Sequence, residues 1–287
     1  CSSPDALEHG RDIHAHITDG GFGSDIVKTA LVSMYGNCGS LEEAQQAFQE
    51  IYRHDIVSVN AMLGAYIQND RGRDALQLFG QIWERRLEPT CITYATALSA
   101  CSLLGAIAKG KAIHMMIIEE GFESMNVVAT AVVSMYGKCG GIKESEDVFH
   151  MLPRRNIVSW SAMLSVYVET ENSASKALRL YRQMREEGVD PNAHTLVFAL
   201  QACCALSLVY MDYNRMKTLV NANGEEEEEA PIIVFEIVQG MHSYALRKNY
   251  AFDAFVGTSL LGVYGKCGAI REAEHVFVGA LIEHNHD

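Results

Sequence analysis

The sequence predicts an all-α solenoid, a line of antiparallel helical hairpins, and three observations carry that prediction. The first is Tyr35-Gly-Asn-Cys-Gly39, which returns as Tyr136-Gly-Lys-Cys-Gly140 and Tyr264-Gly-Lys-Cys-Gly268; self-similarity of this kind marks a repeat array. The second is spacing. Apolar residues recur three and four positions apart, as in Ala30-Leu31-Met34-Tyr35 and Leu41-Ala44-Ala47-Phe48-Ile51, with glycine between the runs, which is the helical period with its stop signal. The third is the interval between copies, 101 residues from Tyr35 to Tyr136 and 128 from Tyr136 to Tyr264. The later cycle therefore carries an insertion.

Composition agrees. A hydrophobic content of 48% with 5 Pro and 23 Gly in 287 residues supports a continuous core and excludes general disorder. The net charge of −13, five of it in the run Glu225 to Glu229, argues against an unspecific nucleic-acid binder, because phosphate neutralisation supplies most of such affinity. The eight cysteines include no C-x-x-C pair and follow the repeat: Cys38, Cys139 and Cys267 share one position, and Cys1, Cys101 and Cys203 another. That pattern fits reduced packing thiols better than a disulfide framework or a zinc site. No window approaches the ~18 apolar residues of a membrane span, and no cleavable signal opens the chain. Cys1-Ser2-Ser3 aligns with Cys101-Ser102-Leu103, so both ends read as cut in mid-array, with any transit peptide or catalytic tail expected outside this sequence.

Taken in order, residues 1–24 are the second half of a repeat, with Ile13-His14 ahead of Gly21-Phe22 just as Ile113-His114 precede Gly121-Phe122. Residues 25–55 form a hairpin that turns at Gly36-Asn37-Cys38-Gly39-Ser40, where Ser40 followed by Glu43 has the form of a capping box. Residues 56–90 form a second hairpin ending at Pro89, and 91–125 a third that turns at Gly105 and closes through Ile113, Ile117 and Ile118. The cycle then restarts. Residues 126–156 repeat the first hairpin, and 157–192 repeat the second, with Ile157-Val-Ser-Trp-Ser-Ala-Met163 matching Ile56-Val-Ser-Val-Asn-Ala-Met62. The third hairpin of this cycle, 193–253, separates Cys203 from His242 by 39 residues where Cys101 and His114 are 13 apart. The insertion, roughly 209–234, holds the glutamate run, read as a disordered loop, and the β-prone Ile232-Ile233-Val234-Phe235. A final hairpin and tail occupy 254–287.

Hairpins that alternate between 31 and 35 residues resemble pentatricopeptide repeats. The short ones carry MYGNCG, MYGKCG and VYGKCG, the ordinary ones IVSVNAML and IVSWSAML, and the long ones G-x-x-I-H from Gly10 to His14 and Gly110 to His114. More narrowly they resemble the class that cycles through P, L and S variants, over essentially the whole chain outside the insertion. The resemblance implies a right-handed superhelix that binds single-stranded RNA in a mitochondrion or chloroplast, one base per repeat. The class often directs cytidine-to-uridine editing together with editing-complex proteins or a deaminase acting in trans.

It also implies where bases are read: the fifth and last residues of each repeat. Carried over, the pairs are Thr29 with Asp55, Asn60 with Thr90, Thr130 with Asn156 and Ser161 with Asn192, which would prefer guanine, a pyrimidine, adenine and adenine. The chemistry is plain, since Asp accepts from the ring N–H of guanine or uracil whereas Asn suits adenine or cytosine. Ala95 and Val197 cannot hydrogen-bond a base, and Thr258 pairs with His284 outside the usual code. The implied target is G-Y-N-A-A-N-N.

Other residues have plainer readings. Tyr35, Tyr136 and Tyr264 offer possible stacking surfaces, but their helical register favours the core. His14, His114 and His242, one per cycle, fit packing or a hydrogen bond better than a metal site, and His284-x-His286 fits a frayed tail. The H-x-E and P-C-x-x-C elements of a zinc deaminase are absent, as are the phosphate loop and the nucleophile elbow. The sequence thus calls for no cofactor and no catalytic residue of its own. Two alternatives stay open: a protein-binding scaffold of the tetratricopeptide kind, and a truncated array without function.

Overall fold

The computed structural model describes residues 4–20, 23–220 and 229–284, and within them the side chains of 7–17, 20, 23–208 and 234–278. The chain divides into two compact units, 1–154 and 155–287. The described residues are helical throughout, with no strand, and the expected all-α solenoid of antiparallel hairpins is the architecture found.

In the first unit, α1 (Pro4–Asp19) leads into four hairpins. They are α2 (Asp25–Asn37) with α3 (Leu41–Gln49), α4 (Ile56–Gln68) with α5 (Gly72–Gly80), α6 (Cys91–Leu104) with α7 (Ile107–Glu119), and α8 (Asn126–Lys138) with α9 (Ile142–Met151). The leading helices α2, α4, α6 and α8 stack on one another, while α3, α5 and α7 each pack against their own leading helix and the next. Two layers result. The second unit repeats the scheme: α10 (Ile157–Glu169), α12 (Ala193–Val220) and α14 (Ala254–Lys266) form the leading layer, and α11 (Ala174–Glu186), α13 (Glu229–Arg247) and α15 (Ile270–His284) the other.

The leading helices owe their place to apolar residues on two sides. Val59, Met62, Leu63 and Ala65 of α4 are all but fully buried, as are Tyr94, Ala97, Leu98 and Cys101 of α6. A helix buried on both flanks can contact a neighbour in the stack and a partner behind it. Truncating one such residue to alanine typically costs about 2–5 kcal/mol.

The Y-G-x-C-G motif is a helix stop. Gly39, Gly140 and Gly268 adopt φ of 77°, 81° and 72°, a left-handed conformation that glycine alone takes without strain. The amides that follow, of Ser40, Gly141 and Ala269, donate to the carbonyls of Tyr35, Tyr136 and Tyr264 at 2.9, 2.8 and 2.9 Å, which closes the last turn. The described cysteines form no disulfide. Burial pushes Cys101 up to about 11 and Cys203 up to about 12, as expected for thiols that serve packing.

Two sequence expectations are corrected. Ser40 makes no side-chain capping bond to the backbone; its hydroxyl donates to the Glu43 carboxylate, which also holds Arg11. Charge pairing has displaced the capping box. In the described part of the insertion the β-prone segment is helical: residues 209–220 continue α12, which reaches 28 residues against 14 in α6, and 229–235 belong to α13, with 19 residues against 13 in α7. Both arms of the hairpin are lengthened, and Ile232–Phe235 lie within α13, which packs on α12 and α14. Glu225–Glu228, read as a loop, lie outside the described residues.

Candidate nucleic-acid interface

In the register given above, the last residue of a repeat is the N-cap of the next leading helix. Asp55 Oδ1 accepts from the Ser58 amide at 2.8 Å while Ser58 Oγ accepts from the Asp55 amide at 3.1 Å, a reciprocal capping box. Thr90 and Thr93 make the same exchange at the start of α6. Asn156 Oδ1 accepts from the amides of Val158 and Ser159, and Asn192 Oδ1 from that of Thr195 at 2.9 Å. Asp253 caps α14 in the same manner. The sequence reading passed over it because its partner position, Val197, has no polar group.

Capping engages one atom of each side chain and fixes its orientation. An amide that caps must present oxygen to the backbone N–H groups, so Asn156 and Asn192 each keep an Nδ2 donor with no described partner. Asp55 keeps Oδ2, an acceptor. The Ser58 amide bond holds the Asp55 carboxyl below its usual range, so at neutral pH it is ionised and can only accept.

The fifth residues behave differently from one another. Thr29 Oγ1 donates to the Asp25 carbonyl at 2.8 Å, Ser161 Oγ to the Ile157 carbonyl at 2.8 Å, and Thr258 Oγ1 to the Ala254 carbonyl. Each hydroxyl retains only lone pairs for an external donor. Asn60 is engaged at both ends: Nδ2 donates to Thr90 Oγ1 at 3.3 Å, and Oδ1 accepts from Thr93 Oγ1 at 2.8 Å. The structure thus joins Asn60 to Thr90, and keeps Thr29 and Asp55, and Ser161 and Asn192, bonded to their own helices. Thr130 Oγ1 is buried without a partner. Thr130 belongs to the first unit and Asn156 to the second. The His284 side chain lies outside those described.

A further set of residues escaped the sequence reading. The second residue of each leading helix is an exposed apolar side chain: Ile26, Val57, Ile92 and Val127 in the first unit, Val158 and Phe255 in the second, each more than half exposed. His194 holds the place in α12. Second and fifth residues are one turn apart and share a helix face, and the leading helices stack directly. Each unit therefore carries exposed apolar side chains beside polar ones, interrupted by His194 among the first and by Ala95 and Val197 among the second. Such a surface can hold flat rings between aliphatic groups while the ring edges meet hydrogen-bonding atoms. The available signal was an aliphatic residue just ahead of two buried positions at Val57, Ile92, Val127 and Val158.

The tyrosines face inward. Tyr35, Tyr136 and Tyr264 are 5% exposed or less, and their hydroxyls lie 3.0 Å from Nδ1 of His14, His114 and His242 respectively. Packing and a hydrogen bond account for both residues of the motif. Burial lowers the pKa of His114 and of His242, which keeps both rings neutral at physiological pH.

Comparison with known proteins bears on this geometry. The PPR repeat model matches residues 27–56 and 127–157, and the PPR repeat family model matches 54–102 and 155–205, together more than half of the chain. The chain belongs to the PPR repeat family. The PPR chain is 31% identical over 269 residues to pentatricopeptide repeat-containing protein At5g27110 of Arabidopsis thaliana, covering 93% of this chain and 35% of that protein. It is 30% identical over 278 residues to the chloroplastic protein At4g18520 of the same organism, covering 96% of this chain and 41% of the relative. It thus spans well under half the length of these curated relatives. Among solved structures, the crystal structure of pentatricopeptide repeat protein PPR10 in complex with an 18-nt psaJ RNA element aligns with a TM-score of 0.58 and 18% identity, over 99% of this chain and 44% of that one. This likeness shows that the PPR chain shares the helical-repeat fold.

Proposed function

We propose that this PPR chain binds single-stranded RNA in a sequence-dependent way, one base per repeat. The observation that carries the reading is the recurrence, on stacked helices, of an exposed apolar second residue beside a polar fifth residue and a capping last residue with one free polar atom. Bases would insert between the apolar side chains, a contact that every base can make. Selection would then fall to the atom that capping leaves free. Asp55 Oδ2 accepts, which suits the ring N–H of guanine or uracil, and the Nδ2 donors of Asn156 and Asn192 suit the ring acceptors of adenine or cytosine. Asn60 keeps a second Nδ2 hydrogen and a second Oδ1 lone pair for its base, while its bonds to Thr90 and Thr93 fix its orientation.

The repeat lengths and motifs support membership of the class that cycles through P, L and S variants, and the array would serve as an address module for organellar RNA editing or another RNA-processing step. Chemistry would come from another region of the protein or from a partner in trans. Relatives named chloroplastic and mitochondrial support an organellar setting.

Selection of bound RNA from a random single-stranded pool tests the reading. Enrichment of G-Y-N-A-A-N-N, with adjacent adenines two positions after a pyrimidine, is expected. A helical, monodisperse protein that enriches no motif would overturn it in favour of a protein-binding scaffold.

A further inference from the structure

The second unit carries a surface of opposite character on its other layer. Helices α11 and α13 each pack on α12 but not on one another, which leaves a groove of about 870 Å³ between them. Its rim bears Arg179, Arg182, Arg185 and Arg247, its apolar lining includes Tyr181 and Met241, and Glu186 is its one acidic group. A cationic patch of this density stands out in a chain with a net charge of −13.

Most of that charge is uncompensated. Arg182 pairs with Glu186 at 2.8 Å, but Arg179, Arg185 and Arg247 form no ion pair with any described residue. Arg185 and Arg247 instead lie 6.0 Å from the Tyr244 ring centroid. Tyr244 is itself anchored, its hydroxyl donating to the Pro191 carbonyl at 3.1 Å, and Lys248 next to it pairs with Asp190 at 3.1 Å. One end of the groove is thereby held to the loop between α11 and α12.

We propose that this groove is a docking site for an acidic amphipathic helix of a partner protein. The spacing fits: Arg179, Arg182 and Arg185 lie at successive intervals of three along α11, covering about 9 Å of helix, the span over which a docked helix presents anchors at i, i+3 or i+4, and i+7. Carboxylates on that partner face would meet guanidinium groups in bidentate geometry, and its apolar side chains would cover Met241 and the half-exposed Ile237. Single-stranded RNA fits less well, because the groove offers no free aromatic face. Tyr181 is 5% exposed, and Tyr244 is covered by cations.

The test uses the full 287-residue chain and a fluorescein-labelled synthetic helix of about 14 residues, with glutamates and leucines on one shared face. The controls are a peptide of the same composition scrambled so that they share no face, and an unstructured single-stranded RNA of similar charge. Fluorescence anisotropy should show the patterned peptide binding at least tenfold tighter than the scrambled one. The Arg179→Glu/Arg182→Glu variant, whose substitutions lie on exposed side chains, should lose at least tenfold in affinity for the peptide with an unchanged circular dichroism spectrum. Its affinity for the RNA motif selected above should stay the same, which separates this site from the base-reading rows. Equal binding of the two peptides, or of the peptide to chain and variant, would overturn the proposal. Competition in which the unstructured RNA displaces the peptide and itself depends on Arg179 and Arg182 would overturn it too, making the groove a nucleic-acid surface.

Discussion

A side chain on Gly110 would collide with Met135: an added Cβ would sit 2.3 Å from its Sδ. The same contact joins Gly10 to Met34, where the distance would be 2.8 Å. In the third cycle the corresponding residues are Val238 and Val263, both buried, a larger residue in the place of the glycine and a smaller one in the place of the methionine. Gly110→Ala should destabilise the chain by about 1–3 kcal/mol through overpacking, and adding Met135→Val should recover most of the loss. Urea denaturation of the two single variants and the double variant measures the coupling. Additive effects would show that the two residues do not share this contact.

The His–Tyr pairs make stability depend on pH. The folded pKa values of His114 and His242 are depressed by burial below 6.5, so the unfolded chain binds more protons in the interval between folded and unfolded values. Stability is therefore fully present above about 6.5 and falls as pH drops through that interval. The melting temperature should decline between pH 7.5 and 5.5, and the decline should be smaller in the His114→Gln/His242→Gln variant. Tyr136→Phe, which removes one hydroxyl, should cost about 0.5–1.5 kcal/mol at neutral pH.

Asn192 caps α12, and in the proposed reading it also addresses a base; substitutions can separate the two. Asp caps as well as Asn, so Asn192→Asp should leave stability unchanged while replacing a free donor by a free acceptor. The preference at that base should move from adenine toward guanine by about 1–3 kcal/mol, read from binding to oligonucleotides differing at one position. Asn192→Ala should instead cost about 0.5–2 kcal/mol of stability. An unchanged preference in the Asp variant would remove Asn192 from the set of readers.

The apolar row predicts a loss of affinity without a loss of discrimination. Val57 and Val158 are 61% and 55% exposed, so Val57→Asp and Val158→Asp should alter folding stability by no more than about 0.5 kcal/mol. Each should weaken RNA binding by about 1 kcal/mol or more, by a similar factor for matched and mismatched sequences. Titrations against both kinds of oligonucleotide decide it. A loss confined to the matched sequence would make the row part of the selection.

The repeat architecture could be read from the chain because its signals are local. The tyrosine-glycine stop, the capping residues and the threefold and fourfold apolar spacing each act within a single helix or turn. What escaped depends on neighbours distant in sequence. Ser40 has the spacing of a capping box, yet Arg11 draws Glu43 into an ion pair, and the serine follows the carboxylate. Ile232 to Phe235 are β-branched or aromatic, yet they lie within α13, a helix that packs on α12 and α14. Most second-position residues are aliphatic and look like core, and burial alone separates Val57 from Val59. Of the candidate pairs, the bond between Asn60 and Thr90 was also invisible beforehand, because Thr93, from the next repeat, completes it.

Since the last residue of one repeat opens the next helix, its identity answers to two requirements at once. Side chains that start a helix well are few: Asp, Asn, Ser and Thr. Those same four carry the short polar ends able to address a base edge. In the proposed reading, the array's alphabet is thus restricted by backbone chemistry before any ligand arrives, and a letter cannot be altered freely without loosening the joint on which it sits. Met125 marks the boundary of the rule. It caps nothing at the start of α8, has no polar group to offer, and stands in the scheme as a silent letter.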